Sequence, residues 1–236
     1  MMELFSLKSK IAVVTGSARG NGKAIANGLR EFGATVIGLD VIEDENSILC
    51  DITNQEEVNR CLEDYPIVDI LVNNAGVSFP GTFLDYPDDL WEETYRVNLK
   101  APFNLMQNIA KKMKDNSGGS IINITSLNSE LAFPDNPSYV SFKGALKQLT
   151  KSAALDLGKY NIRVNNVGPG YFKTDMTKGS WEDKQKNKER AEKTVLNRWG
   201  IPKDLVGVTV FLSSDASSYI TGQDIYVDGG WLIKGL

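Results

Sequence analysis

There is no histidine among the 236 residues of this chain. That absence removes Ser-His-Asp triads, HExxH zinc sites and every acid/base mechanism that runs through an imidazole. Any catalyst here must use another base. Cysteine is nearly as scarce: Cys50 and Cys61 stand too far apart for a CxxC motif and are too few for a thiolate cluster or a disulfide framework. We read both as reduced core residues, which suits the cytoplasm, and expect no metal site. Positive charge is not in excess, because 26 Lys and Arg against 30 Asp and Glu give a net charge of -4. Nothing is left over to neutralise a phosphate backbone, so nucleic acid is not an expected partner. Long hydrophobic runs are missing as well. The start, MMELFSLKSK, lacks the apolar stretch of a signal peptide, and nothing later approaches the roughly 20 residues of a membrane span. No membrane partner is expected. What remains is an ordinary globular composition, 42% hydrophobic and 24% charged, sufficient to bury a full core.

Short β-rich apolar runs alternate with longer helical stretches. Residues 11–15, 35–40, 47–50, 69–73, 120–125, 162–167 and 224–227 read as strands, several apolar on both faces as buried parallel strands are. Helices fit between most of them. Thr53-Asn54-Gln55-Glu56 reads as a capping box that starts one helix, and Asn136 before Pro137 supplies another with an N-cap and a proline at its first position. Strand-helix alternation over residues 1–236, with no linker or repeat, implies one domain: an α/β Rossmann fold with a doubly wound, seven-stranded parallel sheet. Only ten residues separate Asp40 from Asp51, too few for a normal crossover helix, so the connection between strands two and three is expected to be a loop or a single turn. The polar stretch 177–193 reads either as a solvated helix or as a mobile flap.

The first strand runs into Thr15-Gly16-Ser17-Ala18-Arg19-Gly20-Asn21-Gly22 and then a helix with apolar Ile25, Leu29 and Phe32. Glycines at that point bring the backbone close to a pyrophosphate at the positive end of the helix. Strand two ends in Asp40, about twenty residues on, where a carboxylate accepts from ribose hydroxyls and repels a 2′-phosphate. NAD is therefore the expected cofactor, with NADP disfavoured. Arg19 is the counter-signal.

Together these residues resemble the short-chain dehydrogenase/reductase family in its classical subdivision. The glycine spacing matches its TGxxxGxG, Asn73-Asn74-Ala75-Gly76 its NNAG, and Tyr139 to Lys143 its YxxxK, with Ser126 thirteen residues before the tyrosine. Asn98 in VNLKAPF, Pro169-Gly170 followed by Thr174, and the ending VDGG also match, so the resemblance spans nearly the whole chain. Asn21 departs from it, standing where the family usually has isoleucine; Gly168 and the short segment after Asp40 are further departures. The resemblance implies a carbonyl/alcohol oxidoreductase with Asn98, Ser126, Tyr139 and Lys143 as its catalytic group. It implies a dinucleotide held by Gly16, Ser17, Arg19, Gly20, Asn21, Gly22 and Asp40, with Asp51 and Ile52 at adenine. Asn74, Ala75 and Gly76 then line its ribose, Tyr139 and Lys143 reach the nicotinamide side, and Pro169, Gly170, Phe172 and Thr174 hold the carboxamide.

Physical chemistry supports the tyrosine as acid/base. In a helix Tyr139 and Lys143 are i and i+4, on one face. An ammonium at about 4 Å in an effective dielectric near 20 is worth roughly 4 kcal/mol, which predicts a tyrosine pKa lowered by up to about 3 units. The helix N-terminus acts in the same direction. Ser126 then orients the substrate oxygen, and the resemblance suggests that Asn98 holds a water linking Lys143 to solvent.

The loops beyond the strand ends are polar, with Asn128, Ser129, Glu130, Asp135 and Asn136 near the catalytic residues. This favours a small polyhydroxylated substrate, and GPGYFKTDMT and NRWG are similar to family members acting on gluconate-type sugar acids and aldohexoses. Trp181, Trp199 and Trp231 are available to stack on a sugar, although tryptophan is more often core. Two alternatives stay open: a 3-oxoacyl carrier-protein reductase, and a dinucleotide-binding sensor or structural subunit without catalysis. The resemblance further implies a homo-oligomer, a tetramer, pairing through helices at 90–113 and 137–157.

Overall fold

Strand β1 (Ile11–Thr15) is apolar on both faces because it lies at the centre of a sheet covered on both sides. In this computed structural model, which describes residues 2–234, it is joined by β2 (Thr35–Asp40), β3 (Ser47–Leu49), β4 (Ile70–Asn73), β5 (Gly119–Ile124), β6 (Ile162–Pro169) and β7 (Asp224–Val227). All pair in parallel, in the order β3-β2-β1-β4-β5-β6-β7. The helices are α1 (Gly20–Glu31), α2 (Gln55–Cys61), α3 (Asp88–Tyr95), α4 (Ala101–Lys114), α5 (Pro137–Leu157), α6 (Lys178–Trp181), α7 (Lys184–Glu192), α8 (Val206–Ser213) and α9 (Trp231–Lys234). The expected Rossmann topology is therefore present, and strand order reverses between β1 and β4, which opens a crevice at their carboxyl ends.

Alternate residues of each strand feed opposite cores. Val13, Leu71 and Ile121 pack with Leu105, Ile109 and Met113 of α4, while Ala12, Val14, Ile70, Val72 and Ile122 pack with Ile25 and Leu29 of α1 and Val210 and Leu212 of α8. The period-two geometry of a strand produces that division. Among the described residues no helix is long and apolar enough to cross a membrane.

The connection from β2 to β3 carries no helix, as its length demands. Its return path runs over Gly38, where an added Cβ would lie 2.4 Å from Ser17 Oγ and 2.8 Å from the carbonyl oxygen of Asn46. Side chains of α1 hold this loop: Lys23 pairs with Asp44 at 2.9 Å, and Arg30 donates to the carbonyl of Asn46 at 3.1 Å. The loop thus stands where a crossover helix would otherwise pack.

A polar row crosses the sheet inside this apolar frame. Asn73, Asn123, Asn166 and Asp224 are in register on β4, β5, β6 and β7. Asn73 donates to Asn123 (2.8 Å), Asn123 to Thr150 of α5 (2.7 Å), Thr150 to Asn166 (2.6 Å) and Asn166 to Asp224 (2.7 Å). At the sheet edge Lys151 closes the row by pairing with Asp224 at 3.1 Å.

Several local expectations are corrected. Helix α2 is capped by Asn54, whose Oδ1 accepts from the backbone of Glu56 and Glu57, one residue later than the capping box at Thr53 proposed. Thr53 is engaged by Asp51 instead, donating N–H and Oγ1 to Oδ1 at 2.8 Å. Asn136 and Pro137 do open α5, but the Asn136 side chain makes no cap, because its amide donates to Ser78 Oγ at 2.7 Å. Strand β3 stops at Leu49, and β6 runs on to Pro169. The 177–193 stretch is helical, as α6 and α7, and α7 buries none of its residues.

Candidate active site

The crevice is walled by the loop after β1. Gly16 has φ +66°, and a Cβ there would lie 2.9 Å from Ala75 Cα; one on Gly22 would lie 1.9 Å from the carbonyl oxygen of Gly16. Only glycine permits so tight a fold. The turn is tied to the β4 loop: Asn74 Nδ2 donates to the carbonyls of Thr15 (2.9 Å) and Gly16 (3.1 Å), and Thr15 Oγ1 accepts from Asn74 N and Ala75 N. Helix α1 begins at Gly20 with no side-chain cap from Arg19, so its first N–H groups face the crevice ready for an anion. The cradle fits a pyrophosphate.

Around it the structure gathers most of the expected residues. Gly20, at φ +53°, sits close enough to Thr174 that an added Cβ would meet its methyl at 3.5 Å. Arg19 reaches across the opening toward Asp175, 3.8 Å away. Asn21 holds a buried Oδ1 with no partner. Asp40 is nearly buried, and its carboxylate accepts from Ala18 N at 2.9 Å and Ile42 N at 3.1 Å, while Ser17 Oγ meets Ser47 Oγ at 2.8 Å. Thus Asp40 shapes the glycine loop as well as ending β2. Beyond it Ile52 is buried and Asp51 exposed. Pro169 ends β6, and Gly170 lies so close to Asp228 that a Cβ would approach its Cα at 2.9 Å. The Phe172 ring is buried in the core cluster that also holds residues of α1 and α8.

Three elements bring the expected catalytic residues together. Ser126 ends the β5 segment and accepts from Asn128 N at 3.2 Å, and Tyr139 and Lys143 lie on the first turns of α5. Asn98 is fully buried on a π-helical turn, Arg96–Lys100, between α3 and α4, a widening that sequence patterning did not reveal. Its amide exchanges hydrogen bonds with Val77, donating to the carbonyl at 2.8 Å and accepting from the N–H at 2.9 Å. A Cβ on Gly76 would lie 3.3 Å from Asn98 Oδ1 and 3.6 Å from Lys143 Nζ, so the glycine leaves a gap between them.

The electrostatics differ from expectation. Lys143 Nζ donates to the carbonyl of Ile124 at 2.7 Å and lies 5.6 Å from the centroid of the Tyr139 ring. Burial lowers its pKa to about 8. The Tyr139 phenol is pushed up, burial outweighing the hydrogen bond from Ser126 that pulls it down. Desolvation therefore acts on both groups more strongly than the lysine charge acts on the phenol, the reverse of the expected order.

Sequence reading named Ser129 and Glu130 beside this group but missed Tyr226 and Lys147, to which they bond. Ser129 donates to the carbonyl of Ser126 at 2.5 Å and meets Tyr226 OH at 3.3 Å, and Tyr226 donates to Glu130, which pairs with Lys147. Tyr226 lies far along the chain from Ser129 and Glu130, so that link leaves no local signal. Phe133, Tyr171, Trp199 and Trp231 form one aromatic cluster, with Tyr171 stacked on Trp231 at 5.0 Å. Trp199 and Trp231 are buried, which favours their core reading, and Trp181 donates to the carbonyl of Thr174 at 3.0 Å.

Comparison with known proteins agrees with this geometry. A family model described as Enoyl-(Acyl carrier protein) reductase matches residues 16–232. The chain is 36% identical to 5-keto-D-gluconate 5-reductase of Escherichia coli (strain K12), across 99% of both chains. It is 34% identical to the NAD-dependent glycerol dehydrogenase of Listeria innocua, over 98% of this chain and 96% of that one. Among solved structures, a gluconate 5-dehydrogenase from Burkholderia cenocepacia J2315 in complex with NADP and tartrate superposes with a TM-score of 0.92 at 33% identity, covering 98% of each chain. With fold, glycine cradle and the Ser126, Tyr139 and Lys143 group in place, the chain belongs to the short-chain dehydrogenase/reductase family and is an oxidoreductase acting on CH–OH groups with NAD(P).

Proposed function

We propose that the protein interconverts a secondary alcohol and a carbonyl on a small sugar acid, using NAD, with Tyr139 as acid/base. The observation that carries this reading is the convergence of Ser126, Tyr139 and Lys143 beside a glycine cradle on a chain without histidine. Relatives named for 5-keto-D-gluconate and gluconate, and the polar loop 128–136, support the substrate class.

A nicotinamide cofactor held by the Gly16–Gly22 loop and Asp40 would supply the hydride chemistry. Every proton is handled by the chain itself. Ser126 orients the substrate oxygen, and Tyr139 takes its proton during oxidation and returns it during reduction. Lys143, fixed by the carbonyl of Ile124, stands 5.6 Å from the centroid of the Tyr139 ring as the nearby nitrogen that completes the group. Asn98 Oδ1 and Lys143 Nζ both border Gly76, a placement that supports Asn98 as the partner of Lys143 in proton relay. Asp40 at the end of β2 supports NAD: a carboxylate there repels a 2′-phosphate, and Arg19 is turned toward Asp175.

The test is a screen of aldonates, alditols and aldoses with both cofactors. The expected result is higher kcat/KM with NAD and with the acids; equal or better use of NADP, or turnover of 3-oxoacyl thioesters alone, sinks the reading. The free thiols Cys50 and Cys61 support a reducing compartment, the cytoplasm. An apolar groove of about 340 Å³ between α4 and α5, lined by Phe103, Met106, Ala110, Leu149, Ala153 and Tyr160, supports pairing with a second copy and assembly into a tetramer.

A further inference from the structure

Helix α7 sets a cation over the aromatic cluster beside the catalytic tyrosine. The Arg190 guanidinium lies 4.1 Å from the centroid of the Tyr171 ring, and its Nε is buried with no hydrogen-bond partner. The ion pairs within the flap, Lys178 with Glu182 and Lys188 with Glu192, both at 3.8 Å, leave Arg190 out. A guanidinium carries five N–H donors in a rigid fork matched to a carboxylate, and a buried donor left unpaired is costly. Arg190 hydrogen-bonds the Tyr171 phenol but has no carboxylate partner among the described residues, so an anionic ligand would complete its fork. The position of Tyr171 shows where that ligand would lie. Its ring packs edge-on against Phe133 at 5.9 Å, and Phe133 sits in the loop between Ser126 and Tyr139. Lys193, one turn beyond Arg190, adds a second cation 5.8 Å from the Trp231 centroid, on the ring that Tyr171 stacks upon. The phenols also sense one another. Tyr171 raises Tyr139, while Arg190 pulls Tyr171 down against its burial, so the three groups share one space.

We propose that Arg190 binds the carboxylate of the substrate through its planar fork and thereby holds α7 down over the occupied cleft. The arrangement selects hydroxy acids over neutral sugars of the same length. It also places the discriminating charge on a helix that buries none of its residues, where binding and closure become one event. This inference rests on the sugar-acid reading given above.

Two measurements on Arg190→Met and Arg190→Lys test it. The first is the ratio of kcat/KM for an aldonate to kcat/KM for the alditol of equal length, so that any general damage cancels. Arg190→Met is expected to lower the ratio about 10- to 100-fold, the loss typical of a charge-assisted hydrogen bond. Arg190→Lys keeps the charge without the fork and should fall between. The second is the affinity for tartrate against threitol, read from tryptophan fluorescence with NADH bound so that no oxidation occurs. Tartrate is expected to bind wild type more tightly than threitol, and that preference should disappear in Arg190→Met. A variant with unchanged ratio and unchanged tartrate preference overturns the role of Arg190. If wild type oxidises aldonates while the ratio does not move, the sugar-acid reading stands and this inference fails. Oxidation of neutral substrates alone, with tartrate binding still dependent on Arg190, defeats the sugar-acid reading and leaves Arg190 as a carboxylate-binding group. Absence of both aldonate turnover and tartrate binding in wild type defeats both. Should Arg190→Met lose NADH binding through misfolding, the Arg190→Lys ratio decides, an unmoved value counting against the proposal.

Discussion

At the scale of single residues Tyr139, the proposed acid/base, has no histidine in the chain to stand in for it. Tyr139→Phe keeps the ring and removes the hydroxyl, so kcat should fall about 100- to 10,000-fold with NAD affinity nearly unchanged; retention of more than about a tenth of the rate would sink the assignment. Because burial pushes the phenol up, alcohol oxidation should rise with pH in the alkaline range while carbonyl reduction falls. Lys143 makes a separate prediction about stability. Its pKa is lowered from 10.5 to about 8, so the folded state releases that proton before the unfolded chain does. The penalty of burying the ammonium is complete below pH 8, shrinks as pH rises, and vanishes above the unfolded value. A shift of this size corresponds to about 3 kcal/mol, part of it offset by the hydrogen bond to Ile124. Lys143→Met should therefore be nearly inactive yet melt higher than wild type at pH 7, and the gain should fade between pH 8 and 10.5. A lower melting temperature at pH 7 would contradict this account of the site.

At the scale of elements the sheet and the catalytic helix are held together by the polar row. Thr150→Val strands Asn123 and Asn166 without their partner in a dry interior, so the expected cost is about 2 to 4 kcal/mol, seen as a lower denaturant midpoint with unchanged slope. No loss of stability would mean that the row carries none. Much of this architecture was legible in the chain. Strands apolar on both faces announced a covered parallel sheet, and the ten residues between Asp40 and Asp51 ruled out a crossover helix by length alone. The row itself was not legible, since Asn73, Asn123, Asn166 and Asp224 become neighbours only through register across four strands. The π-helical turn at Asn98 was hidden for a related reason, because one widened turn leaves the apolar period of α3 and α4 almost intact. Motif spacing named Ser126, Tyr139 and Lys143 as candidates, whereas the order of their pKa influences depended on burial, which spacing does not reveal.

At the scale of the whole molecule the question is what covers α4 and α5. Their outward faces form an apolar groove, and Leu155 stands almost fully exposed beside it. Monomers rarely leave such a surface wet, and a two-fold pairing lets the same patch serve on both partners. Both helices also carry the site, since α5 bears Tyr139 and Lys143 and α4 follows the turn that holds Asn98. Pairing there would stiffen α5 along the flank it turns toward α4. Ala153 lines the groove on α5, two turns and more beyond Lys143, so a bulky charge at that point should act on association without touching the reacting atoms. Ala153→Arg is expected to convert the assembly to smaller species in light scattering, to lower its melting temperature, and to reduce kcat more than it raises KM. A wild-type protein that is monomeric at micromolar concentration would overturn the pairing. If instead Ala153→Arg remained fully assembled, the contact would have to lie on another face, with Leu155 and the groove left to solvent.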